Sequence, residues 1–133
     1  ALIKYKSFTE DPFSVLQILG GYDIAGMVGA IFAAGKLHTP VILDGLITIC
    51  AALTAERICP GASGCCIASH LPKEPMSRLI IHELGLRPVI DASMALGEGT
   101  GAVMLAPQLD VVLALYDKGS RFENIDVEAY SRF

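Results

Sequence analysis

Apolar positions along the 133-residue chain fall in short blocks separated by turn residues. Three blocks are continuous rather than alternating: Pro40-Val41-Ile42-Leu43-Asp44-Gly45, Gly64-Cys65-Cys66-Ile67-Ala68-Ser69-His70, and Arg87-Pro88-Val89-Ile90-Asp91. Unbroken apolar runs of this length, bounded by breakers, predict strands buried on both faces, as in a parallel sheet. The intervening segments have helical length and spacing. Pro12 to Leu19 is amphipathic and is expected to end at Gly20-Gly21. Tyr22 to Ala34 is rich in small residues, Leu46 to Ile58 ends at Cys59-Pro60-Gly61, and Pro75 to Leu84 opens on proline and closes on Gly85. Gly101 to Lys118 is expected to be helical, interrupted or restarted at Pro107. Thr9-Glu10-Asp11-Pro12 is a helix-start signature.

Strands alternating with helices predict an α/β fold: an open, mostly parallel, Rossmann-like sheet with helices on both faces and right-handed crossovers. Length bounds this to a single domain over residues 1–133, with a polar, acidic tail at 119–133 in which Phe122, Ile125 and Tyr130 are docking candidates. Three strands are few for such a sheet, against a mean of about five or six. Together with a first residue, Ala1, that is not methionine, this leads us to expect a piece of a larger fold.

Composition narrows the function. Hydrophobic residues make up 53% of the chain, above the usual level of about 45–50%. No apolar run is expected to reach the roughly 18 residues that span a bilayer. The net charge of −4 offers no electrostatic pull toward nucleic acid or an anionic membrane, so neither is expected as a partner. Cys50, Cys59, Cys65 and Cys66 include no CxxC, and His38, His70 and His82 do not pair with them at zinc spacing. They are expected to be buried, reduced thiols of a cytoplasmic protein, with Cys65 and Cys66 on opposite faces of a strand. No metal or cofactor is expected.

In an open α/β sheet, ligands bind beyond the carboxyl ends of the strands. Here those ends carry Asp44-Gly45, Ser69-His70, and Asp91 leading to Ser93-Met94-Ala95-Leu96-Gly97-Glu98-Gly99-Thr100-Gly101. Each has a plainer reading. Asp44 can cap the helix that begins at Leu46, Ser69-His70 can be a turn with a satisfied histidine, and Glu74 can sit at a helix N-terminus where the dipole favours it. Glu98, framed by Gly97 and Gly99, has less structural reason to be where it is. Glycine lets main chain approach a ligand closely, so Glu98 is the candidate acid or base. Gly97, Gly99 and Gly101 before a helix also form a weak phosphate-binding pattern. It lacks the last glycine of the dinucleotide fingerprint, Met104 standing there, and the Lys-Ser/Thr of a P-loop. A Rossmann-type dinucleotide module is disfavoured, since its glycine turn follows the first strand of a sheet and this one follows the last.

Taken in order, Gly20-Gly21-Tyr22-Asp23-Ile24-Ala25-Gly26-Met27-Val28-Gly29-Ala30, Val41-Ile42-Leu43-Asp44-Gly45, Ser69-His70, Glu74-Pro75 and Leu96-Gly97-Glu98-Gly99-Thr100-Gly101-Ala102 resemble the nicotinate-nucleotide–dimethylbenzimidazole phosphoribosyltransferase family, which makes the lower-ligand nucleotide of cobalamin. The likeness runs from about Asp11 to Asp117. It departs at Leu71 and Pro72, where the family has Arg and Ser.

The resemblance implies transfer of phosphoribose from nicotinate mononucleotide to 5,6-dimethylbenzimidazole or a related base, without metal or cofactor. Glu98 would be the general base, with Leu96 against the flat base, Gly97 and Gly99 at close approach, and Asp44 and Ser69 among the substrate-binding residues. It also implies a homodimer, for which the small-residue helix Tyr22 to Ala34 is a candidate surface. The resemblance implies that the chain is the C-terminal part of the enzyme, with much of the nucleotide site and part of the benzimidazole pocket on an N-terminal part not included here. The alternative is a catalytically incomplete fragment that folds or dimerises and binds a base or phosphate without turnover.

Overall fold

The computed structural model describes residues 3–8 and 10–119; the predicted tail with Phe122, Ile125 and Tyr130, and Thr9 of the helix-start signature, lie outside them. Asp11 opens the first helix as that signature requires. Its carboxylate accepts from the N–H groups of Phe13 and Ser14 and from the Ser14 hydroxyl, and Pro12 follows in the first turn. α1 (Pro12–Val15) and a π turn, Leu16–Gly20, lead to α2 (Gly21–Lys36) with no loop between them, but Gly21, at φ 72° and ψ 166°, leaves the helical region, so the glycine pair breaks the helix where the sequence expects it to. The joined stretch Pro12–Lys36 is, by length and composition alone, long and apolar enough to cross a membrane, which corrects the expectation that no segment reaches that length. Val28, Ile31 and Ala34 on its inner face are buried in the protein core.

β1 (Val41–Leu43) and β2 (Cys66–Ala68) pair in parallel, Ile42 opposite Ile67. The expected α/β class and parallel pairing hold, with shorter strands. The predicted third strand is reduced to a parallel bridge between His70 and Ile90, although Val89 and Ile90 still donate to the carbonyls of Ala68 and Ser69 at 3.1 and 3.0 Å. Pro88 has no N–H to extend that ladder. Gly64 and Cys65 are not strand either. They belong to a 3₁₀ turn, Ala62–Cys65, tied down by Glu56, whose carboxylate accepts from Gly61 N, Ser63 N and Ser63 Oγ at 2.7–2.9 Å. Cys65 and Cys66 therefore do not alternate across one strand, as the sequence pattern suggested.

α3 (Leu46–Ile58) lies at the centre. Its Ile49, Ala51, Ala52 and Ala55 are almost wholly buried, and these small alanines let α2 and the strands approach closely. α4 (Pro75–Glu83) adds Ile80 and Ile81 to the same core. α5 (Thr100–Lys118) runs through Pro107 without a break. The carbonyl of Val103, which Pro107 cannot serve, belongs to a turn whose Val103 and Pro107 are both exposed, where water can take the lost bond. Of α5, only Gly101 and Leu105 are buried. The thiols are free but not uniformly buried: Cys66 is buried, Cys50 and Cys65 half-buried, and Cys59 exposed where the chain leaves α3.

Candidate active site

The carboxyl ends of β1 and β2 open onto a cavity of about 730 Å³, within the range of small-ligand sites. Four stretches distant in sequence line it. They are Asp23 and Met27 of α2, residues 44–48 after β1, His70, Pro72 and Glu74 after β2, and residues 94–99 before α5. Each of the ordered sequence segments thus supplies a wall of one space. Leu96, 68% exposed, offers an apolar surface beside Gly97 and Glu98. Asp23 and Met27 were not singled out from sequence. Their signal was present in the Gly20–Ala30 segment, where a carboxylate stands one turn before a methionine on a helix otherwise made of small and apolar residues.

Glu98 has φ 63°, in the left-handed region that costs a residue other than glycine roughly 1–3 kcal/mol. Its carboxylate belongs to an exposed residue on the cavity wall. Gly99, the cap residue of α5, follows at φ 81°, so two successive left-handed residues turn the chain sharply into the helix. Thr100 closes the turn on the Gly97 carbonyl through its hydroxyl at 2.8 Å.

Asp44 does not cap α3. That helix starts at Gly45 with no side-chain cap, and Thr48 Oγ1 donates to the Gly45 carbonyl instead. The Asp44 carboxylate reaches across to α5, where Oδ2 accepts from Gly99 N at 3.1 Å and Oδ1 from Gly101 N at 2.7 Å and Ala102 N at 3.3 Å. The glycine cap of α5 has no side chain to do this itself, so the cap comes from another segment of the chain. Two N–H groups of the weak phosphate-binding pattern, those of Gly99 and Gly101, are thus already taken by Asp44.

Ser69 and His70 lie beneath that first turn. Ser69 is fully buried and is not part of the cavity wall; its hydroxyl lies 3.0 Å from His70 Nδ1 and 3.5 Å from the Asp44 carbonyl. His70 is 2% exposed and reaches the cavity edge. A β-carbon on Gly101 would run into the His70 ring and stand 2.7 Å from Ser69 Oγ. Among the described residues no group of three or more His, Cys, Asp or Glu side chains could hold a metal ion.

A family model described as phosphoribosyltransferase matches residues 1–127. The chain belongs to this family. It is similar to the nicotinate-nucleotide–dimethylbenzimidazole phosphoribosyltransferase of Clostridium acetobutylicum, with 39% identity over 130 residues, 98% of this chain and 37% of that protein. The protein of the same name from Mycobacterium ulcerans is 39% identical over 127 residues, 96% of this chain and 36% of its own length. Among solved structures, the nicotinate-nucleotide–dimethylbenzimidazole phosphoribosyltransferase of Thermus thermophilus matches with a TM-score of 0.80 and 32% identity over 90% of this chain and 36% of that one. The chain therefore spans about a third of the length of the relatives it matches.

Proposed function

We propose that the chain provides the base-activating wall of an enzyme that transfers phosphoribose from nicotinate mononucleotide to 5,6-dimethylbenzimidazole or a related flat nitrogen base, a step in assembling the lower ligand of cobalamin. The observation that carries this reading is the meeting of Leu96, Gly97 and Glu98 with Asp23, His70 and Glu74 around one cavity at the strand ends. One ring nitrogen of the incoming base attacks C1′ of the ribose while the C1′–N bond to nicotinate breaks. Nicotinate leaves as a pyridinium becoming neutral and takes no proton. The new product would be cationic, and its other ring nitrogen carries a proton. Glu98 takes that proton, a contribution worth about 10²–10⁴-fold. Leu96 packs on the base, and Gly97, with open space where a side chain would be, admits it to the main chain. Ser69 acts behind this wall, being buried, while Asp44 stands at the cavity with its carboxylate engaged by α5.

A second reading is favoured by one observation, that the chain spans 37% of the Clostridium acetobutylicum relative. On it, the chain by itself folds and binds a base without turnover. Incubating the 133-residue chain with nicotinate mononucleotide and dimethylbenzimidazole separates the two: nicotinate release supports a self-sufficient site, and base binding without release supports a partial one.

We also propose that the protein is a homodimer through the small-residue side of α2. Gly26, Gly29, Ala30 and Ala33 are all exposed, and a β-carbon at Gly26 or Gly29 would meet nothing within 4 Å. The side of α2 that packs inward is instead Val28, Ile31 and Ala34. Light scattering of the chain reads this directly, and a monomer at high concentration counts against it.

A further inference from the structure

The first turn of α5 is held by a side chain from outside its own helix. Asp44, 55 to 58 residues upstream, accepts from Gly99, Gly101 and Ala102 with both carboxylate oxygens. Gly101 is seated on the buried Ser69–His70 pair. Glu98 directly precedes this clamped turn, is itself in a left-handed conformation, and is followed by another left-handed residue. A residue in that conformation keeps its direction only where its surroundings impose it, and Asp44 supplies that restraint one residue away, at Gly99 N.

We propose that Asp44 is a positioning residue for Glu98. Its carboxylate clamps the turn that Glu98 leads into, and so sets where the Glu98 carboxylate stands at the cavity. By filling the three amide donors it also keeps a substrate phosphate away from the N-terminus of α5, so the nucleotide phosphate is bound elsewhere. The proposal rests on the reading of Glu98 as the base. It assigns Asp44 no contact with substrate: the negative charge at the strand end serves the helix, and through the helix it serves Glu98.

The test compares Asp44→Ala, Asp44→Asn, Glu98→Gln and the Asp44→Ala/Glu98→Gln pair. Turnover is read in the full polypeptide in which the chain occurs, and amide hydrogen exchange is read in the same polypeptide. Asp44→Ala is expected to lower kcat about tenfold or more, because small misplacements of a reacting group are expensive, with KM for nucleotide and base within about twofold of wild type. Asp44→Asn keeps one acceptor oxygen for Gly101 and Ala102 and recovers part of the loss. In the Glu98→Gln background, Asp44→Ala costs less than about twofold more, since residues acting as a unit are not additive. Exchange at Gly99, Gly101 and Ala102 speeds up about tenfold or more in Asp44→Ala as the local opening free energy falls. A rise in nucleotide KM with kcat intact would make Asp44 a substrate ligand and overturn the proposal, as would a fully multiplicative loss in the double variant or unchanged amide exchange. Near-normal turnover of Glu98→Gln alone counts against the base reading and not against the clamp, which the exchange rates judge independently.

Discussion

Gly101 and His70 are in such close contact that no side chain larger than hydrogen fits between α5 and the end of β2: a β-carbon there would stand 2.6 Å from His70 Cε1. Gly101→Ala therefore has to push α5 outward or His70 inward. Overpacking of this kind costs about 1–3 kcal/mol, and here the displaced element carries Glu98 at its head. The expected result is a lower melting temperature together with reduced turnover, measured by calorimetry and nicotinate release. A melting temperature equal to wild type would show that the contact is slack.

Gly97 precedes Gly101 by one helical turn's worth of chain and has open space around it. Gly97→Ala is expected to change stability by no more than about 0.5 kcal/mol, as surface substitutions usually do. Its cost falls on binding of the base, read by calorimetric titration. A variant that binds normally would remove Gly97 from the ligand wall.

These two glycines mark how far the sequence could be read. The structure puts the glycine-framed Glu98 on a cavity wall, but nothing local in the sequence shows the structural causes of its glycines. Gly99 is a left-handed helix cap, and Gly101 a close-packing site. Both depend on partners, Asp44 and His70, that lie far off in sequence and cannot be read from local pattern. The same holds for Asp44 itself: its placement after a strand and before a helix suggests a local cap, and the tertiary structure gives the cap to α5. Parallel pairing, the helix α3 and the gathering of polar residues at strand ends are legible because they follow from apolar runs and breakers. The break at Gly20-Gly21 is legible too, since Gly21 makes it at φ 72°, but the absence of a loop between the π turn and α2 is not.

Glu56 gives the fold an acid-sensitive joint. Its carboxyl is held below its usual range, first by the N–H of Gly61, then by the N–H and hydroxyl of Ser63. A carboxyl whose folded pKa is depressed contributes stability above its unfolded value, and loses it as pH falls through the folded value. Glu56→Gln is therefore expected to melt below wild type at neutral pH. The gap should close as pH drops below the ordinary value of 4.5. A gap that persists unchanged into acid would mean the charge contributes nothing to the loop.

The cysteines should react in order of access and acidity. Burial, followed by the neighbouring Cys65, pushes the Cys66 thiol up to about 12, and its residue is buried in the core. Cys59 is exposed. Since the thiolate is the nucleophile, mild alkylation followed by mass spectrometry should label Cys59 first and Cys66 last, with Cys66 reacting only on unfolding. Early labelling of Cys66 would place β2 at the surface.

The removal of one proton from the attacking base by Glu98 is tested most directly by Glu98→Gln, assayed for nicotinate release with dimethylbenzimidazole, with affinity for the base measured separately in the same variant. Loss of turnover by about 10²-fold or more, with base affinity within about threefold of wild type, is the expected result. Turnover within about threefold of wild type would contradict the role assigned to Glu98.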